Sequence, residues 1–470
     1  MALNNTMKQS SFTIKTFGCQ MNVRDSEIMA QLLAEKGYVE SMEMEDADVV
    51  ILNTCSIRAK AEQKAMSMLG ALRKAKRRRP GMKICVAGCV AQQEGQELCQ
   101  RMDHVDLVIG TQNLYELAGL LEGIDGTSKV AISMSDSYEI PAFIPAMPKL
   151  ISQGELQDTS PARSFRKFLT IMQGCNNYCT YCVVPYTRGR EISRKVNDII
   201  EEAHVLVEAG VQEITLLGQN VNSYGRTNPV TAEGNEYSFA QLLRDVAAIE
   251  GLKRLRFTTS NPKDLSLDLM RCFSEIEILC PQFHLPVQSG SNIVLSKMNR
   301  KYTRELYLQK VAELRSFRPD IALSTDVIVG FPGETDADFE QTMEILEEVR
   351  FHSSFSFKYS DRPGTRSADF DEKVDEQVKS ERLSRFQKRQ DQICLEQNSL
   401  YVGKILPVMI EKVTEDGLVA RTVTNHIVHV KEKITCSPGD IVNVTIHHAG
   451  QHSLNGRIDS TNQYQGYSHD

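Results

Sequence analysis

The sequence predicts an α/β chain of three modules: an N-terminal open parallel α/β sheet, a central partial (β/α)6 barrel and a small C-terminal β-barrel. Three observations predict it. Strand-like apolar runs alternate with amphipathic stretches near the N-terminus, and six further strand-like runs separated by helical patterns fill the middle. The last part is rich in Val, Ile and Thr, broken by short turns such as Ser437-Pro438-Gly439. At 470 residues and 41% hydrophobic content, the chain can build several domains with their own cores. The expected modules are residues 1–145, a linker over 146–162, residues 163–398 including a trailing helix, and residues 399–463.

In the first module Phe12–Phe17, Asp48–Asn53 and Lys83–Ala87 read as strands, and each leads into a cysteine: Thr16-Phe17-Gly18-Cys19, Asn53-Thr54-Cys55 and Ala87-Gly88-Cys89. An open parallel sheet gathers its strand carboxyl ends along one edge, where ligands bind. Cys19, Cys55 and Cys89 are therefore expected to converge and to hold a cluster, whereas Cys85, inside the third run, reads as a buried apolar residue. The Pro- and Ser-containing stretch Pro141–Pro161 lacks an apolar period and reads as the linker. Core strands follow at Lys167–Met172, Glu213–Leu217, Arg254–Thr258, Gln282–Leu285, Ile321–Val329 and Ser353–Tyr359, then a charged helix over Asp371–Ser399 and the β-rich Val402–Ile458.

The run Gly174-Cys175-Asn176-Asn177-Tyr178-Cys179-Thr180-Tyr181-Cys182 carries the chemistry. Three thiols can cap three irons of a cubane and leave the fourth iron free to bind a substrate, which a fully ligated electron-transfer cluster cannot do. Zinc would call for a fourth Cys or His at short spacing, and none follows nearby. The loop follows the first core strand, which places it at the chemical end of the barrel. This spacing, with an aromatic residue before the last Cys, resembles the motif of radical S-adenosylmethionine (SAM) enzymes.

Other features bound the function. No apolar run approaches the ~20 residues that cross a bilayer, and the N-terminus has no apolar signal region. Twelve cysteines are too sparse for a disulfide scaffold and point to metal binding in a reducing compartment, hence a cytoplasmic enzyme. The net charge of −7 weighs weakly against nucleic acid, although charge distribution counts for more than the sum. Gly330–Glu334 lacks the Lys-Ser/Thr ending of a phosphate loop.

Over almost its whole length the chain resembles the methylthiotransferase family of radical SAM enzymes. The resemblance rests on Thr16-Phe17-Gly18-Cys19-Gln20-Met21-Asn22, Asn53-Thr54-Cys55-Ser56-Ile57-Arg58, Gly88-Cys89-Val90-Ala91-Gln92 and Cys182-Val183-Val184-Pro185-Tyr186-Thr187-Arg188-Gly189-Arg190-Glu191. These runs match the branch acting on isopentenylated tRNA. His284–Ser291 and Gly330–Thr335 are shared more widely in the family and support the fold more than the substrate. The resemblance implies two 4Fe–4S clusters, SAM as radical source and methyl donor, a C-terminal TRAM domain that binds RNA, and methylthiolation at C2 of N6-dimethylallyladenosine beside the anticodon. It also implies an electron donor and a sulphur source that the sequence does not identify; the chain is expected to act as a monomer.

Tyr181 is expected beside the SAM adenine on the same resemblance. Gln219, Asn220, Ser260, Gln288 and Asp326 stand at core strand ends and are further candidate SAM contacts, each with a plain loop hydrogen bond as the alternative. Arg421, Lys431, Lys433 and Arg457 are the candidate RNA contacts of the last module. The basic run Arg73–Arg79 could grip phosphates, complement a helix end or be solvated. Truncation before about Leu400 is expected to weaken tRNA binding while leaving SAM cleavage in place. Two other functions compete: a sister methylthiotransferase acting on threonylcarbamoyl-adenosine or a ribosomal protein side chain, and a non-catalytic RNA-binding protein with redox-sensing clusters. The Gln20-Met21-Asn22 and Ser56-Ile57-Arg58 wording disfavours the first, and the complete Cys175/Cys179/Cys182 set disfavours the second.

Overall fold

The computed structural model describes residues 9–56, 59–143, 164–227, 237–432 and 434–459. The expected linker 146–162 and Lys433 lie outside them. The N-terminal unit is a parallel sheet of β1 (Ser11–Thr16), β2 (Val39–Glu40), β3 (Val49–Thr54), β4 (Lys83–Gly88), β5 (Leu107–Ile109) and β6 (Lys129–Ala131), in the order β2-β1-β3-β4-β5-β6. It is flanked by α1 (Gln20–Glu35), α2 (Ala59–Arg78), α3 (Cys89–Glu94), α4 (Gln96–Arg101) and α5 (Leu117–Glu122). Every residue of β3, Val-Val-Ile-Leu-Asn-Thr, is buried. That is the pattern of a central parallel strand covered on both faces.

Six parallel strands form the core in two halves: β7 (Arg166–Thr170), β10 (Glu213–Leu217) and β11 (Arg254–Phe257), then β12 (Gln282–His284), β13 (Ala322–Val329) and β14 (Ser353–Lys358). A backbone bridge between Leu255 and Leu279 joins the halves. The short pair β8 (Met172–Gln173) and β9 (Ile192–Ser193) brackets the cysteine loop and α6 (Val184–Thr187). Helices α7 (Val196–Glu208), α8 (Phe239–Ala247), α9 (Leu267–Glu275), α10 (Asn292–Lys297), α11 (Arg304–Phe317) and α12 (Asp336–Val349) connect the strands, and the trailing α13 (Glu376–Ser399) follows β14. Ser238, Ser266, Ser291 and Thr303 accept from the first turns of α8, α9, α10 and α11. Thr335 and Asp338 form a reciprocal capping box on α12, which explains the Thr that ends the Gly330–Thr335 run. The middle of that run is structural too. Phe331 is fully buried against Tyr181, Tyr359 and Phe370, and Glu334 accepts from Gly330 N at 2.8 Å and from Arg382 Nη1 at 2.7 Å.

The last unit is a closed five-stranded barrel of β15 (Ile405–Thr414), β16 (Gly417–Thr422), β17 (Ile427–Val430), β18 (Ile441–Ala449) and β19 (Ser453–Ile458), in the order β15-β16-β17-β19-β18. It covers the amino ends of the core strands. Arg254 Nη1 donates to Arg421 O at 2.9 Å, and Arg256 donates to Val423 O and Thr422 O at 3.0 Å each. Both arginines are buried. A truncation before Leu400 would therefore strip three backbone acceptors from two buried guanidinium groups, leaving Glu213 and Gln282 as their partners, so the small barrel is a floor for the core as well as an appendage.

Two histidines sit in this floor with ring centroids 5.7 Å apart, His352 beside β14 and His426 beside β17. Burial, then the His426 and Arg315 charges, lowers His352 to about 4; burial, then Arg421, lowers His426 to about 4. The unfolded chain binds protons at these sites near pH 6.5 while the folded chain does not, so stability from both is full above about 6.5 and is lost as pH falls towards 4. The melting temperature should fall between pH 7 and pH 5, and the His352→Gln/His426→Gln double variant should show a flatter dependence. Parallel pH profiles of the two proteins would contradict this.

Candidate active site between two cysteine sets

The strands β1, β3 and β4 are neighbours in the N-terminal sheet, so the loops at their carboxyl ends lie side by side. Cys19 is the N-cap of α1, Cys55 leaves β3, and Cys89 opens α3. Gly18 has φ +112°, and a Cβ there would lie 2.2 Å from the Cys55 Cβ and 2.7 Å from its Sγ. Only glycine lets the first loop approach the second so closely. Asn22 then ties the loops together, since its Nδ2 donates to Phe17 O at 2.9 Å and Thr54 O at 2.8 Å.

The third partner comes from the core. Arg188, six residues after Cys182, reaches the N-terminal sheet edge, where its Nη2 donates to Asn22 Oδ1 at 3.0 Å and Asp25 Oδ2 at 2.7 Å. A hydrogen bond from Cys55, stronger than the opposing effect of burial and helped by the Arg188 charge, lowers the Cys19 thiol to about 6. Burial pushes the Cys89 thiol up, against the pull of Arg188. Ser56 Oγ and Arg188 Nη1 are buried here with no hydrogen-bond partner among the described residues. An unmet buried donor costs about 1–3 kcal/mol. Three thiols lined by such donors fit an anionic, sulphide-rich group that accepts hydrogen bonds.

On the core side, the loop Cys175–Cys182 spans the carboxyl end of the barrel. Gly174, with φ +79°, is pressed against the chain: a Cβ would lie 1.9 Å from Arg190 O. Thr180 donates from N to Met298 O at 3.1 Å and from Oγ1 to Lys297 O at 3.0 Å, while Asn299 Nδ2 donates to Tyr178 O at 2.9 Å. The segment after α10 thus straps the loop from across the barrel. Asn177 Nδ2 donates to Cys175 Sγ and Arg300 Nη1 to Cys179 Sγ, both at 3.3 Å. Burial pushes Cys175 up to about 11 and Cys182 up to about 12, so without a bound cation these thiols keep their protons. Among the described residues no three His, Cys, Asp or Glu side chains converge on a single metal ion. Each cysteine of a cubane takes a different iron, and such a site asks for wider spacing than one ion does.

The candidate SAM residues divide. Tyr181 packs edge-on against Phe331 at 6.5 Å. Gln219 makes the plain loop hydrogen bond, its Oε1 accepting from Gly174 N at 2.5 Å, and so holds the loop in place. Asn220 donates to Asp264 Oδ2 at 2.8 Å and Ser223 Oγ at 2.9 Å, yet its Oδ1, the Ser260 Oγ and the Gln173 Nε2 are buried without partners among the described residues. Gln288 sits at φ +67° and Thr259 at φ +73°, strained backbone of the kind found at ligand sites. Asp326 faces His284 Nε2 at 3.4 Å and is half-buried. Unmet polar atoms at these strand ends suit a zwitterionic, hydroxyl-rich ligand such as SAM.

Of the candidate RNA residues, Lys431 and Arg457 are exposed. Arg421 is held by Glu411 in a two-pronged pair at 2.6 and 3.1 Å and by Asn425, so its charge is already matched. In the basic run, Arg73 pairs with Asp103, Lys76 with Asp106 and Arg79 with Asp48. Lys74, Arg77 and Arg78 are solvated at the far end of α2, about 30 Å from the cysteine edge by the rise of a 20-residue helix. Cys85, Cys99, Cys272, Cys280 and Cys394 are buried and Cys436 half-buried.

Comparison with known proteins fits this geometry. Residues 11–110 match the model of uncharacterized protein family UPF0004, 169–346 the radical SAM superfamily and 399–458 the TRAM domain. The tRNA-2-methylthio-N(6)-dimethylallyladenosine synthase of Desulfotalea psychrophila is 59% identical over 96% of this chain and 99% of its own. The chain belongs to this synthase family. Members from Syntrophobacter fumaroxidans (46% identity, 95% of each chain) and Thermodesulfovibrio yellowstonii (44%, covering 97% of this chain and 100% of the relative) extend the match. Among solved structures, the radical SAM methyltransferase TsrM from Kitasatospora setae shares the fold at TM-score 0.53 and 14% identity, covering 77% of each chain. The radical SAM superfamily match implies a 4Fe–4S cluster and SAM. Family membership makes the chain a radical SAM methylthiotransferase, and among the described residues no helix is long and apolar enough to cross a membrane.

Arg188, Asn22, Asp25 and Arg300 are the functional residues that reading the sequence missed. Arg188 and Asn22 lie inside the runs that carried the family resemblance, and that placement was the available signal. Nothing local marks Arg300 as a thiol partner 121 residues away.

Proposed function

We propose that this chain methylthiolates C2 of N6-dimethylallyladenosine beside the anticodon in tRNA. Cys175, Cys179 and Cys182 hold the SAM-binding cluster, and Cys19, Cys55 and Cys89 hold a second cluster that carries sulphur. The carrying observation is the junction at Arg188, which joins both thiol sets across one buried interface. From Cys182 to Arg188 runs little more than the single turn of α6, on the order of 10 Å at helical rise. When bound, the core cluster and SAM supply a radical able to take hydrogen from an aromatic carbon, and the second cluster supplies the sulphur that a second SAM methylates. The chain holds the two sites facing one reaction space: α3 packs on α6, and Thr111 Oγ1 donates to Thr187 O at 2.6 Å. Tyr181, Asn220, Ser260, Gln288 and Asp326 orient SAM, and Gln219 fixes the loop that carries the thiols. Lys431, Lys433 and Arg457 offer phosphate contacts, while the Arg421 side chain is taken up within the small barrel by Glu411 and Asn425. The reading includes a monomer acting in the cytoplasm, with an electron donor and a sulphur source of unidentified kind.

Two experiments test this reading. Alanine at any one of Cys175, Cys179 or Cys182 should remove about one cluster and abolish 5′-deoxyadenosine formation, whereas the Cys19/Cys55/Cys89 triple alanine variant should still cleave SAM but form no methylthio product. A normal product from the triple variant would overturn the sulphur role. The dimethylallyl group adds apolar surface worth roughly 25 cal/mol per Å² when buried, so a prenylated anticodon stem-loop should turn over much faster than an unmodified one at equal occupancy. Equal rates would remove prenyl recognition from the account.

A further inference from the structure

Among the described residues only two tyrosines are exposed, Tyr178 at 43% and Tyr186 at 48%. Both stand beside the core thiols. Tyr178 lies inside the loop, between Cys175 and Cys179, and Tyr186 follows Cys182 by four residues on α6. The surrounding chain fixes each ring in the open. Tyr178 sits at φ +47°, left-handed backbone that a bulky residue rarely adopts, and Asn299 Nδ2 donates to its carbonyl at 2.9 Å. After Tyr186, Thr187 and Arg188 are buried and bonded to the N-terminal unit, which leaves Tyr186 in solvent beside the junction of the two units.

Cations accompany both rings. Lys301 Nζ donates to Asn299 Oδ1 at 2.5 Å, one link from Tyr178, and has no carboxylate partner among the described residues. Arg190, four residues after Tyr186, is exposed, and its 3.4 Å pair with the exposed Asp136 is too solvated to tie it down. Exposed aromatic faces interleaved with available cations are how proteins hold unpaired nucleotides. Chemistry on a base also takes that base out of its stack, which uncovers the faces of its neighbours. We propose that Tyr178 and Tyr186 are stacking platforms for the nucleotides that flank the modified adenosine, with Lys301 on an adjacent phosphate. This rests on the reading of the substrate as tRNA, and it puts a grip on the anticodon loop at the core thiols themselves, apart from the small barrel.

The test measures binding of a prenylated anticodon stem-loop to the full chain reconstituted with iron, by fluorescence anisotropy over a range of salt. Tyr178→Ala and Tyr186→Ala should each raise Kd roughly fivefold or more, whereas Tyr178→Phe and Tyr186→Phe, which keep the ring, should stay parent-like. Both alanine variants should keep the parent's salt slope, and Lys301→Ala should lower it by about one. On a stem-loop with abasic sites either side of the adenosine the alanine losses should vanish, since no base is left to stack. If Tyr178→Ala does not yield folded protein, Tyr178→Leu, which fills the space without a planar face, takes its place. Parent-like Kd in either alanine variant, a phenylalanine variant as weak as its alanine counterpart, or an equal loss on the abasic loop overturns the proposal. Loss of iron or of 5′-deoxyadenosine formation in the folded variants also overturns it, because the rings would then serve the cluster. A parent protein that does not bind the prenylated stem-loop would instead overturn the tRNA reading beneath it.

Discussion

The arrangement depends on a buried ion network where α1 of the N-terminal unit meets β7 and α7 of the core. Glu202 lies between Arg24 and Arg194, at 2.7 Å from the latter, and both arginines and the carboxylate are buried. Burial alone would lower the Arg24 pKa, but the Glu202 and Glu27 carboxylates more than offset it and hold the guanidinium above its ordinary range. Lys167 adds a bridge to Glu27 at 3.1 Å, and Arg188 with Asp25 extends the network to the thiols. Such pairs add little net stability over apolar packing, yet removing one member costs about 3–5 kcal/mol because it strands a buried charge. What they provide is one allowed relative placement of the two units. Directional bonds to fixed partners cannot slide as an apolar interface can.

That placement gives the molecule two ends with different tasks. At the strand carboxyl ends, loops with positive-φ residues and unmet polar atoms surround the thiols. At the amino ends, the small barrel closes the core with backbone carbonyls that receive Arg254 and Arg256. The barrel that resembles an RNA-binding module therefore also stabilises the enzyme core. Inside the barrel, the pairing of Arg421 with Glu411 explains why a basic residue there is not automatically an RNA contact.

Much of this was legible in the sequence. The apolar runs, with a cysteine after each of three N-terminal strands and a cysteine loop after the first core strand, made the strands and the carboxyl-end position of the thiols legible, because strand polarity forces carboxyl-end loops onto one edge. Contacts between distant segments were not legible. Gln219 reads as a ligand-facing amide at a strand end, but its acceptor is taken by Gly174 N, a pairing set by a glycine turn 45 residues earlier. The run Arg73–Arg79 reads as one basic patch, whereas Arg73, Lys76 and Arg79, one turn apart, pair with acidic residues on neighbouring elements. Arg188 shows its role only once two units are docked.

The most direct test of the account is the Glu202→Gln variant, which keeps the side-chain shape but removes the central charge and one of the two acceptors that receive Arg24 and Arg194, away from every thiol. Iron content, reductive SAM cleavage and methylthiolated nucleoside are measured on the same preparation with prenylated tRNA. The account predicts parent-like iron and 5′-deoxyadenosine with a clear loss of methylthio product, because both sites survive while their relative placement does not. Parent-like product formation would contradict the claim that the buried network sets the geometry on which the reaction depends.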